Sequence, residues 1–130
     1  MYTGIGIDIV EVARIKDIAL RWKDHFLHRV FTQDELAYAA GKVSQYQHLA
    51  ARFAAKEAVR KAFDAHEITD AVWTDIEIRH EPFGKPTVRL HGLMKELRAR
   101  MKIKRILISL SHTQLLAVAS VVLIRDEDAS

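Results

Sequence analysis

The stretch at residues 52–61, RFAAKEAVRK, constrains this chain more than any other. A helix turns ~100° per residue, which places Ala51, Ala54, Ala55, Ala58 and Ala62 on one face. A face carrying nothing larger than a methyl group lets another element come close. The opposite face mixes Leu49, Phe53 and Phe63 with Lys56 and Arg60, and Glu57 and Lys61 stand at i and i+4 on the flank. Spacing alone favours a surface helix with snorkelling cations and one ion pair. The sharper reading is a helix that holds one carboxylate and several cations at the edge of a packed core, a place suited to a metal and a phosphate.

The rest of the chain can be read around that helix. Residues 2–12 alternate as a strand, with Ile5, Ile7 and Ile9 on one face and Gly4, Gly6, Asp8 and Val10 on the other. The glycines admit a second backbone or a ligand. Asp8 projects from their side, either to solvent or to a partner that offsets its burial. Residues 13–23 read as a helix with Arg14, Ile18 and Arg21 on one stripe. That stripe is more often a solvated face than a dock for an acidic helix. Residues 26–31 show no clear period. Residues 32–35, TQDE, form a capping box of Thr32 and Glu35 that starts a short helix ended by Gly41, and the long helix spans 45–63. Residues 64–71 are a connection with mixed signals.

Residues 73–80 alternate, with Ile76 and Ile78 inward and Asp75, Glu77 and Arg79 outward. The turn EPFGKP leads to a strand at 87–91. A helix at 93–102 follows, then a strand at 105–112, a turn at 113–114 and a last strand at 115–124. Strand, three helices, hairpin, helix, hairpin predicts an α+β fold with a mainly antiparallel sheet packed against a long central helix. A single domain is expected over 1–124, with an acidic tail at 125–130.

The chain has no cysteine, which excludes disulfides and thiolate metal sites. Asp8 and Glu11 come too early for a signal peptide, and no apolar run approaches the ~20 residues of a membrane span. A cytoplasmic protein with no membrane partner is expected. A formal net charge of +3 suits an acidic partner, but no helix-turn-helix, zinc or aromatic-platform signal points to nucleic acid.

Asp8 and Glu57 are the best carboxylate pair. Without thiolate or histidine support they suit Mg²⁺, which takes one or two carboxylates and completes its shell with waters and substrate phosphates. Lys56, Arg60 and Lys61 lie near enough along the helix to bind those phosphates. No P-loop occurs, and GIGID has the wrong order for a dinucleotide fingerprint. His112 shares its parity with Ile106, Ile108 and Leu110, so the pattern favours a core histidine over one that meets a phosphate or a proton in transfer. The other histidines are scattered, and Ser109 and Ser111 lack a nucleophile-elbow context.

Four segments then fall in one order: GIGIDIVEVARI at 4–15, RFAAKEAVRKAF at 52–63, DIEI followed by GKP at 75–86, and SLSHT at 109–113. Together they resemble the bacterial holo-acyl-carrier-protein synthases, the small single-domain 4′-phosphopantetheinyl transferases, over nearly the whole chain. The resemblance implies transfer of the 4′-phosphopantetheine arm of coenzyme A to a serine of apo acyl carrier protein, with release of adenosine 3′,5′-bisphosphate. It implies Mg²⁺ on Asp8 and Glu57, and catalytic roles for Asp8, Glu57, Lys61 and His112, with the general base unassigned. Arg52, Lys56, Lys61, Lys85, Pro86, His112 and Thr113 match positions lining the coenzyme A site. Arg14 and Arg21 match the helix that docks the acidic carrier, and a homotrimer with shared sites is implied.

Two segments depart from the family pattern: KAFDAHE after the long helix, where a glycine-bearing stretch is common, and RHEPF before GKP. The competing readings are the same transfer onto a secondary-metabolism carrier and a non-catalytic basic module that docks an acidic protein.

Overall fold

The computed structural model describes residues 2–65 and 73–125. Strand β1 (Tyr2–Glu11) pairs antiparallel with β5 (Leu116–Arg125), whose other edge pairs antiparallel with β4 (Ile103–His112). Ala117, Ala119, Val121 and Leu123 of β5 turn inward and are buried. The long helix, Gln45–Ala62, crosses that inner face. Its alanine side lies against β1 so closely that a Cβ on Gly6 would overlap the Ala58 carbonyl, and one on Gly4 the Ala62 carbonyl. The methyl-only helix face and the glycine-bearing strand face are two halves of one backbone-to-backbone contact. The outer face of the sheet is uncovered in the single chain: Ile5, Ile7 and Ile9 are 64%, 63% and 62% exposed.

Between β1 and the long helix lie α1 (Val12–Trp22), α2 (Asp24–Val30) and α3 (Gln33–Ala40), which makes the long helix α4. Helix α2 was not expected from the sequence. At seven residues it is too short to display a period, and a break at Lys23 (φ 46°) separates it from α1. The expected capping box is present: Thr32 accepts from the Glu35 backbone N–H, and Glu35 accepts from the Thr32 N–H. A 3₁₀ turn (Trp73–Asp75) leads into the hairpin of β2 (Ile76–His80) and β3 (Pro86–Leu90), followed by α5 (Gly92–Met101). The fold is thus α+β with two antiparallel sheets, a three-stranded one and a hairpin. Among the described residues no helix is long and apolar enough to cross a membrane.

The reading of α4 as a surface helix is wrong. Arg52 and Lys56 are buried, on a helix packed on nearly every side. The Lys56 ammonium lies 2.8 Å from Glu35 Oε1, with both side chains fully buried. It also donates to the carbonyls of Trp73 (3.2 Å) and Ile76. Glu35 Oε1 takes the Thr32 N–H (2.9 Å), and Oε2 takes the Ile78 N–H (2.9 Å). The Thr32 hydroxyl donates to Glu77 Oε2 (2.8 Å), and His91 Nε2 lies 3.2 Å from Glu77 Oε1. Glu77, expected to face outward, is therefore buried, because the polar network gives its carboxylate partners. Burial pushes the Lys56 ammonium down from its ordinary range, and Glu35 opposes that shift.

Removing one member of a buried pair strands the other charge in a dry interior, at a typical cost of about 3–5 kcal/mol. Lys56→Met is expected to lower unfolding stability by that order at neutral pH. Lys61→Met, whose ammonium is half exposed, is expected to cost less than about 1 kcal/mol. Urea titrations of both variants check this, and equal losses would contradict a structural role specific to Lys56.

Candidate active site

Asp8 reaches its position because β1 keeps strict alternation up to the start of α1. It shares the inward face of β1 with the glycines and lies on the α4 side, where Lys61 reaches it. Glu57 is on the flank of α4, one residue past the buried Lys56. Both line one open cleft of about 620 Å³. Val10, Ile15, Phe26 and Phe53 give it apolar walls, and Glu11 and Arg14 join the two acids as its charged lining. The expected Glu57–Lys61 pair does not form. Lys61 donates instead to Asp8 Oδ1 and to the Ile7 carbonyl, both at 3.0 Å. Glu57 makes no ion pair among the described residues and is free to meet a ligand. Glu11 was not singled out from sequence, since an acid at the end of a strand carries no signal of its own.

Two carboxylates on rigid elements, facing one cleft, fit a hard cation that completes its shell from water and phosphate oxygens. No group of three or more potential ligands stands close enough among the described residues to cage an ion alone. The donor set therefore suits Mg²⁺ held jointly with a substrate and does not suit zinc or a closed structural site.

A second cluster surrounds Arg52. Its guanidinium donates to the His48 carbonyl (3.2 Å) and lies 2.9 Å from His80 Nδ1. Tyr38 stacks on His80 at 4.5 Å between ring centres, and Arg52 lies 4.2 Å from the Tyr38 centre. His48 contacts both Tyr38 and His112 edge-on. Arg52 Nε is buried with no hydrogen-bond partner. A cavity of about 410 Å³ opens here, lined by Arg52, Tyr38, His80 and Lys42 among others. Sequence reasoning found Arg52 and missed Tyr38, His48 and His80, which lie on three separate elements and acquire meaning only through stacking.

The remaining expected site residues scatter. His112 is exposed at the end of β4, edge-on to His48 of α4, so the core reading favoured by its parity is corrected. Thr113 organises the β4–β5 turn, its hydroxyl oxygen accepting from the Leu115 (3.2 Å) and Leu116 (3.0 Å) N–H groups. Lys85 and Pro86, at the start of β3, line a different cavity from Asp8 and Glu57. Lys56 is withdrawn from any ligand, since its ammonium is wholly enclosed. Arg60 rests on the Trp73 ring, 4.9 Å from its centre. Arg14 and Arg21 are exposed on α1, with Arg21 3.5 Å from Asp17. Of the altered segment KAFDAHE, the last two residues, His66 and Glu67, lie outside the described residues, as does the acidic tail beyond 125.

Comparison with known proteins gives a consistent picture. Residues 4–119 match the model of the 4′-phosphopantetheinyl transferase superfamily. Holo-[acyl-carrier-protein] synthases from Koribacter versatilis and Halothermothrix orenii are 42% and 43% identical to the chain. These alignments cover 95% and 94% of the chain, and 98% and 97% of those proteins. The crystal structure of the Helicobacter pylori holo-[acyl-carrier-protein] synthase in complex with coenzyme A superposes with a TM-score of 0.81 at 32% identity. That match covers 92% of this chain and 99% of the other. A Bacillus anthracis counterpart, in complex with CoA (3′,5′-ADP), gives 0.74 at 31%, covering 97% and 99%.

Burial and the nearby Arg52 charge push His80 down to about 4, and burial lowers His48 as well. The Arg52 contact needs an unprotonated Nδ1 on His80, so protonation turns a hydrogen bond into a repulsion. Between pH about 4 and 6.5 the unfolded chain binds more protons than the folded one, so stability rises with pH through that window. Denaturation midpoints are expected to fall as pH drops below 6.5, and His80→Gln is expected to flatten that slope. An unchanged slope in the variant would remove His80 from the titration.

Proposed function

The chain belongs to the 4′-phosphopantetheinyl transferase superfamily, and on that premise we propose that it is a holo-acyl-carrier-protein synthase. It moves the 4′-phosphopantetheine arm of coenzyme A onto a serine of apo acyl carrier protein. The observation that carries this reading is the meeting of Asp8 and Glu57, 49 positions apart in the sequence, on one cleft that Arg14 also lines.

In the transfer, the serine oxygen forms a bond to the phosphorus that bears the pantetheine arm. The bond from that phosphorus to the bridging oxygen breaks, and adenosine 3′,5′-bisphosphate leaves with the electron pair. Such a step calls for charge neutralisation and in-line placement more than for covalent help. Mg²⁺ held by Asp8 and Glu57 would offset charge on the diphosphate and on the departing oxygen. Lys61, fixed on Asp8 and half exposed, is placed to turn toward those phosphates. Of the two side chains considered for the serine proton, Glu57 lines the cleft and His112 does not, which supports Glu57 or a water beside it. Arg14 sits on the rim of the same cleft and Arg21 two turns further along α1, so an acidic carrier docked there would bring its serine to the acids.

Arg52, with its unused buried Nε, is the better candidate for a coenzyme A phosphate than Lys56, whose donors are all taken. Lys85 and Pro86 lie apart from the acids within one chain. The open isoleucine face of β1 is an apolar surface of the kind a stable assembly covers. Both features support a homotrimer in which one subunit completes its neighbour's site. Sedimentation equilibrium is expected to return the trimer mass, and a monomer at micromolar concentration would remove this part of the proposal.

The transfer itself is tested by incubating an apo carrier with coenzyme A, Mg²⁺ and the protein. The expected mass gain is one phosphopantetheine, lost on adding EDTA. Asp8→Ala and Glu57→Ala are expected to abolish the gain with circular dichroism unchanged. Turnover at the unmodified rate in either variant would overturn the metal assignment, and no gain with the unmodified protein on any carrier would leave a basic docking module.

A further inference from the structure

Away from the acids and from the Arg52 cluster, a cleft of about 550 Å³ opens between β3, α5 and the start of β4. Five cations line it: Arg89 from β3, Lys95, Arg98 and Lys102 from α5 and its cap, and Lys104 from β4. No carboxylate lines it, and none of the five makes an ion pair among the described residues. Arg89 stands opposite Glu77 in the β2–β3 ladder, yet the Glu77 carboxylate is taken by Thr32, His91 and Arg79.

Gathering five like charges costs energy that the fold does not recover locally. Lys95, Arg98 and Lys102 recur at i, i+3 and i+7, so they share one helical stripe where like charges repel. The helix macrodipole favours cations at the C-terminal end of α5, which accounts for Arg98 and Lys102. It disfavours Lys95, in the first turn, and does not bear on Arg89 or Lys104. Arg98 is also held in place: its Nε donates to the Ile103 carbonyl (3.1 Å) and its Nη2 to the Lys104 carbonyl (2.9 Å). Its Nη1 has no protein acceptor among the described residues. A guanidinium fixed in this way presents its free edge with little ordering left to lose.

We propose that this cleft is a binding site for a small oligophosphate anion, distinct from the Asp8–Glu57 cleft. Its volume of about 550 Å³ lies in the range of small-ligand pockets. Val88, Leu90 and Ile103 give it an apolar wall, and five converging cations, one of them held in place, match a ligand bearing several phosphate groups better than a single one. None of these residues lines the Asp8–Glu57 cleft, and Arg89, Lys95 and Lys102 set this cleft apart from the adjoining cavity of Lys85 and Pro86, with which it shares Val88, Arg98 and Lys104.

The probe is inorganic tripolyphosphate, titrated into the isotope-labelled full chain in EDTA at low ionic strength and followed by backbone amide shifts. Shifts are expected at residues 88–104, with sulfate binding at least about tenfold more weakly. Lys95→Glu combined with Lys104→Glu, both exposed, is expected to weaken tripolyphosphate about tenfold or more. A charge-matched control, Lys23→Glu with Arg125→Glu, is expected to leave it within about twofold. Should the reversed pair fail to fold, Lys95→Gln with Lys104→Gln carries the same test with a smaller loss. Three results would overturn the site: shifts confined to the Asp8–Glu57 or Arg52 cavities, equal affinity for sulfate, or equal weakening in the control.

Discussion

The structure depends on one enclosed ion pair, Lys56 with Glu35. Two charges taken out of water cost several kcal/mol each unless every remaining donor and acceptor finds a partner. Here they do. Lys56 uses its ammonium on one carboxylate oxygen and two backbone carbonyls, and Glu35 accepts from the Thr32 and Ile78 N–H groups as well. The pair thereby ties α4 to the start of α3, to the 3₁₀ turn and to β2. Glu57 is the next residue along, so the clamp that fixes the rotation of α4 also fixes where the cleft carboxylate points.

The second constraint acts from the other side of the same helix. Gly4 and Gly6 let the α4 backbone lie on β1, and the strand's alternation then delivers Asp8 to the α4 side. The two acids are thus positioned by packing that has nothing to do with their own chemistry: a tight alanine–glycine seam on one face and a buried ion pair on the other. Lys61, one turn beyond Glu57, closes on Asp8 and not on its helical neighbour. The strand carboxylate is the nearer partner once the seam has formed.

Much of this was legible in the sequence. The alanine spacing on α4, the glycine face of β1, the capping box at Thr32 and the two hairpins all follow from local periodicity and turn chemistry, which need no tertiary knowledge. What was not legible lies in the partners. Spacing says which face Lys56 occupies and not what lies against that face, so an enclosed lysine was read as a snorkelling one. Glu35 shows only its cap in the sequence, because the spare capacity of its oxygens, taken by Lys56 at Oε1 and by the Ile78 N–H at Oε2, is invisible until those partners arrive. Glu77 looked solvent-facing because alternation assumes one wet side, whereas β2 has α3 against it. His112 shares its parity with three apolar residues, yet it is exposed, with His48 of α4 edge-on to it. Period alone cannot show how far a cover shields each position.

Lys56 and Arg52, one turn apart on α4, are both buried cations, and their surroundings separate two kinds of buried charge. Lys56 is fully paired with a carboxylate and carbonyls, which leaves nothing for a ligand and much for the fold. Among the described residues Arg52 has no carboxylate bonded to it; its acceptors are a carbonyl and a neutral imidazole, and its Nε has none. Burial lowers its pKa while Glu35 acts against that from a distance. A buried guanidinium left short of an anion is a standing cost to the folded chain, tolerable where the missing anion arrives with a substrate. On that argument the completeness of a buried cation's hydrogen bonding, more than its position in a motif, distinguishes the residue that builds the site from the residue that uses it.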